Sequence, residues 1–72
     1  MSRLRLCSGA EAVKKFQQAG WFIARKKGSH VMLVKPDYPY TLSIPMHKEL
    51  GFGILKKLIK QANLTEDEFN EL

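Results

Sequence analysis

The spacing of apolar residues changes twice along the chain, from helical to alternating and back to helical. Val13, Phe16 and Ala19 or Gln17 stand three to four apart, with Lys14, Lys15 and Gln18 outside them, which is the stripe of an amphipathic helix. Ahead of the stripe, Ser8-Gly9-Ala10-Glu11 fits a capping box. In such a box the serine hydroxyl accepts from the Glu11 amide while the glutamate reaches back to the serine amide. The pattern predicts a helix of about three turns starting at Ser8 and stopped at Gly20, which takes a left-handed backbone at little cost.

The period then shortens to two. Trp21-Phe22-Ile23-Ala24 is aromatic and β-branched, Arg25-Lys26-Lys27 follows, and Gly28 suits a hairpin turn. His30 to Lys35 predicts a second strand and Thr41 to Ile44 a third, separated by a segment whose prolines, Pro36 and Pro39, cannot join a ladder. Pro45 ends the third strand, and residues 46–52 read as a loop.

From Gly53 to Ala62 the helical spacing returns. Ile54 or Leu55, Leu58, Ile59 and Ala62 share one face, opposite Lys56, Lys57 and Lys60. Asn63 suits the left-handed stop, and Thr65-Glu66-Asp67-Glu68 is a second capping box opening a short helix with Phe69 and Leu72 inward. The expected architecture is α+β, α-β-β-β-α with a short extra C-terminal helix, forming a single domain over residues 1–72. Both main helices lie on one face of a three-stranded antiparallel meander. Phe16, Trp21 and Phe22 read as core, Tyr38 and Tyr40 as loop packing at a place where bases could also stack. Val31 to Val34 is apolar on both strand faces, so some apolar surface is left for a partner.

Folding the second and third strands about the proline loop pairs residues whose numbers sum to about 75 or 76. His30 then opposes Pro45 or Met46, His47 is its near neighbour, and Lys26, Lys27 and Lys48 come to the same end of the sheet. Twelve Lys and Arg against seven Asp and Glu give a net charge of +5, and five of the acids lie at or beyond Glu49. The chain up to Lys48 is therefore strongly basic, which favours polyanions through counterion release.

Imidazole is the side chain whose ordinary pKa suits proton transfer near neutrality. RNA breaks when a base removes the 2′-hydroxyl proton, cations steady the charge on phosphate, and an acid protonates the leaving 5′-oxygen. His30 suits one of those transfers, with the Ser29 hydroxyl and Gly28 amide holding phosphate and Lys26, Lys27, His47 and Lys48 contacting RNA. The plainer alternatives are a half-buried histidine at a strand start and a solvated hairpin tip at Arg25 to Lys27. Two histidines without an acidic cluster or cysteine pair do not reach the ligands zinc takes, so no metal or small-molecule cofactor is expected. The lone Cys7 excludes an internal disulfide and points to a reducing, cytoplasmic setting. The first six residues are too short and charged for a signal peptide, and no run is long enough to span a membrane.

These residues resemble a known family. Ala19-Gly20-Trp21, Lys27-Gly28-Ser29-His30, Ile44-Pro45-Met46-His47-Lys48, Gly53-Ile54-Leu55, Lys60-Gln61-Ala62-Asn63-Leu64 and Glu68-Phe69 are similar to HicA toxins of bacterial HicA/HicB toxin–antitoxin pairs. Ile54 stands where members often carry threonine, and Asn63 where glycine is common. The resemblance implies a double-stranded-RNA-binding-domain-like fold and a type II toxin that is a metal-independent endoribonuclease cleaving messenger RNA. It further implies that His30 is catalytic and that a HicB-type antitoxin covers the site. The competing expectation is a non-catalytic double-stranded-RNA-binding module of the same fold.

Overall fold

The computed structural model describes residues 4–72. Residues 1–3, part of the stretch read above as too short for a signal peptide, lie outside the described residues. The elements run α1 (Gly9–Gln18), β1 (Phe22–Lys27), β2 (His30–Val34), β3 (Leu42–Pro45), α2 (Phe52–Gln61) and α3 (Glu66–Asn70). The three strands form one antiparallel sheet in the order β1-β2-β3. The fold is α+β, as the spacing predicts.

Both capping boxes form. Glu11 N donates to Ser8 Oγ at 3.1 Å and Ser8 N to Glu11 Oε1 at 3.0 Å, and Thr65 and Glu68 repeat the exchange ahead of α3. The hydrogen bonds from Ser8 hold the Glu11 carboxyl below its ordinary range, so this box supports the fold at neutral pH and loosens as acid protonates the carboxylate. Gly20 (φ 100°) and Asn63 (φ 60°) take the left-handed positions expected after α1 and α2. Lys35 then closes the end of α1, its Nζ donating to Ala19 O at 3.1 Å.

Strand alternation decides where the core sits. Val31 and Leu33 of β2 and Leu42 and Ile44 of β3 are buried on one face, joined by Phe16 and Val13 of α1, Leu55, Leu58 and Ile59 of α2, and Phe69 of α3. Phe16 and Phe69 meet with ring centroids 5.2 Å apart. The opposite face, carrying His30, Val34 and Ser43, is open. No described helix is long and apolar enough to cross a membrane.

Four details differ from the sequence expectation. Phe22 is 59% exposed rather than core, because it pairs with Val34 on the open face; no residue of β1 is buried. Trp21, one residue earlier, is buried and stacks edge-on against Tyr38 with centroids 5.4 Å apart, so Tyr38 is loop packing as expected. Tyr40 is not, standing 56% exposed. Pro45 lies inside β3 instead of after it, a position open to proline because β3 is an edge strand. The second helix starts one residue early, at Phe52, whose ring lies under Lys56 Nζ at 5.1 Å, one turn on.

Candidate functional site

The β1–β2 hairpin closes through two residues, Gly28 and Ser29, with Gly28 at φ 59°. Glycine at the first central position of a two-residue loop is the type II′ arrangement, whose twist matches that of the flanking strands. It hands the chain directly to His30, which pairs across to Pro45. The β2–β3 pairs all sum to 75, as the meander reading requires, and Met46 N donates to Ser29 O at 2.7 Å, extending the ladder past the strand end.

A bulge in β1 decides which lysine meets the histidine. Phe22 and Ile23 pair with Val34 and Leu33, but Arg25, Lys26 and Lys27 pair with Met32, Val31 and His30, leaving Ala24 as the extra residue. Without that insertion, His30 would oppose Lys26. With it, Lys27 and Arg25 share the open face with His30, while Lys26 pairs with Val31 and belongs to the helix side of the sheet. Of the three lysines grouped by sequence at this sheet end, register brings Lys27 to His30 and turns Lys26 away, while Lys48 lies in the loop after β3.

His30 is exposed, and it lines a groove of about 300 Å³ with Thr41, Ser43 and Pro45 of the sheet and Ile54, Lys57, Leu58 and Gln61 of α2. The four α2 positions follow the spacing i, i+3, i+4, i+7, a second stripe offset by one residue from the core stripe Leu55, Leu58, Ile59 and Ala62. Leu58 belongs to both. The helix therefore buries one flank and turns the neighbouring flank across β3 toward the open face.

Lys57 is the residue that sequence reasoning missed. Its place among Lys56 and Lys60 reads as outer helix surface, yet the stripe starting at Ile54 carries it into the groove. Lys56 is engaged elsewhere, 3.8 Å from Glu66, whereas Lys57 and Lys60 make no ion pair among the described residues. His47 and Lys48 are exposed in the loop after β3 and do not line the groove; the His47 carbonyl accepts from Gly9 N at 2.9 Å.

Among the described residues no carboxylate lines this groove, and Lys57 does. The arrangement offers an accessible imidazole, hydroxyls at Thr41 and Ser43, and cations at Lys27 and Lys57, a set suited to a phosphate ester. Cys7 is no rival nucleophile. Burial pushes its thiol pKa up, away from the reactive thiolate.

Among curated proteins, none matches the sequence closely enough to count as a relative. A family model described as the HicA toxin of bacterial toxin–antitoxin does match, over residues 9–64. That span takes in α1, the whole sheet and α2, hence every residue lining the His30 groove; the chain belongs to the HicA toxin family of bacterial toxin–antitoxin systems.

Proposed function

We propose that this toxin is an endoribonuclease that cleaves messenger RNA at the His30 groove without a metal ion and is neutralised by a HicB-type antitoxin covering that groove. One observation carries the reading: an exposed imidazole shares a groove with an unpaired lysine and with no carboxylate. In the step, a base takes the proton from a ribose 2′-hydroxyl and the freed oxygen attacks phosphorus. The bond from phosphorus to the 5′-oxygen breaks, and that oxygen receives a proton. His30 performs one of these transfers, and Lys27 and Lys57 oppose the charge that grows on the phosphate oxygens. Gly28 and Ser29 lie at the turn beside it, where a backbone without a side chain lets phosphate approach. Lys48 and His47, exposed past the end of β3, extend the attraction for the RNA backbone.

The product identifies the reaction. RNA incubated with purified protein in excess chelator is expected to yield fragments ending in a 2′,3′-cyclic phosphate and fragments beginning with a free 5′-hydroxyl. Cleavage that stops in chelator and returns with a divalent ion would replace this mechanism with a metal-assisted one.

Lys57→Met tests the cation. It keeps the length and apolar stem of the side chain while removing the charge, so α2 should stay folded. Loss of one positioned electrostatic group predicts a fall of about tenfold to a few hundredfold in single-turnover cleavage. An unchanged rate would remove Lys57 from the site.

A further inference from the structure

The His30 groove continues. A second concavity, of about 340 Å³, is lined by Tyr40, Lys57, Lys60 and Gln61, and it shares Lys57 and Gln61 with the first. The shared residues follow from helix geometry, since Lys57, Lys60 and Gln61 stand at i, i+3 and i+4 on α2. The two concavities form one track along the α2–β3 edge of the molecule. It runs from the imidazole past Ser43 and Thr41 to an exposed aromatic ring.

The track's chemistry is one-sided. Neither concavity is lined by a carboxylate, and among the described residues neither Lys57 nor Lys60 has an ion-pair partner. Tyr40 differs from its neighbour Tyr38, whose ring is taken up by Trp21 on one side and Lys35 on the other. Tyr40 has no ring contact among the described residues. An exposed aromatic plane flanked by two unpaired cations suits a planar base joined to a phosphate.

We infer that Tyr40, Lys57, Lys60 and Gln61 form a nucleotide subsite on which an unpaired RNA base stacks, upstream or downstream of the cut, so that the protein takes its substrate single-stranded. The inference rests on the nuclease reading of the His30 groove and adds the substrate's form and path to it. β3 alone carries the chain roughly 10 Å from Pro45 back to Leu42, and Tyr40 lies two residues farther. A dinucleotide at His30 therefore falls short of the ring, and a longer strand reaches it. A base held in a duplex has both faces stacked on its neighbours, which leaves none for the tyrosine.

The test compares binding of a 2′-O-methyl dinucleotide and a 2′-O-methyl octanucleotide to the full chain, since blocking the 2′-oxygen keeps both intact. In Tyr40→Ala the octanucleotide's advantage over the dinucleotide is expected to shrink by about five- to a hundred-and-fiftyfold, the worth of one stacked base, while Tyr40→Phe retains most of it. Lys60→Gln should lower the slope of log affinity against log salt by about one phosphate's worth, roughly 0.7 for a single strand. Pairing the octanucleotide with its complement should abolish the tyrosine dependence. An advantage unchanged in Tyr40→Ala, or an equal loss in Tyr40→Phe, overturns the subsite. Wild-type protein that binds the octanucleotide and leaves the unmodified RNA uncut overturns the nuclease reading alone, and wild type without affinity for either oligonucleotide overturns both.

Discussion

His30→Ala is expected to lower RNA cleavage by about a hundredfold to ten-thousandfold, the range that a positioned proton-transfer group contributes, and to abolish growth arrest in cells. The same variant should keep its thermal midpoint and bind RNA within a few-fold of wild type. The separation is expected because His30 is exposed, its side chain makes no hydrogen bond among the described residues, and it contributes nothing to the core. Its backbone role in pairing with Pro45 survives truncation to alanine. A stable, RNA-binding variant that still cuts at the wild-type rate would assign proton transfer to another group. A variant that unfolds would contradict the position of the ring on the open face.

Gly9→Ala is expected to destabilise the protein by about 3 kcal/mol, at the upper end of what overpacking costs, although alanine is the better helix former by about 1 kcal/mol. Gly9 is the first residue of α1 and lies against the chain leaving β3. A methyl group there would overlap the Pro45 carbonyl oxygen and stand 2.8 Å from Met46 Cα, both backbone atoms that no rotamer change can move. Relief requires α1 to retreat from β3, and the bond from Gly9 N to His47 O goes with it. Steric cost outweighs propensity, and the sign reverses. Chemical denaturation of the two proteins measures the difference, and a stabilised Gly9→Ala would show that the α1–β3 junction yields freely. Because Pro45 pairs with His30, a folded remnant of this variant should also cleave less than its folded fraction accounts for.

How much of this was legible in the sequence depended on whether the signal was local. Caps, turns and stops are written in one to four neighbouring residues, so Ser8, Gly20, Gly28, Asn63 and Thr65 all lie where their chemistry put them. The β2–β3 register was legible as well, because the proline loop fixes the centre of the meander and pairing then follows by counting. The bulge at Ala24 was not, since an extra residue in a strand changes no periodicity that a short basic run displays. Nor was the exposure of Phe22: the aromatic run reads as core unless the helices are known to sit over β2 and β3. Lys57 was hidden by its company, because three lysines on a helix read as one solvated face until α2 is placed against the sheet edge. The junction at Gly9 joins segments thirty-six residues apart in number, from 9 to 45, and no local pattern encodes it.

The pleat of β2 and β3 also shapes how this toxin can change over generations. Odd and even positions answer to different demands: Val31 and Leu33 must match the helices, while their immediate neighbours His30 and Met32 answer to whatever occupies the opposite side. Substitutions at exposed positions of the second set leave folding free energy nearly untouched, so what that side of the sheet binds is free to change without a compensating adjustment in the interior.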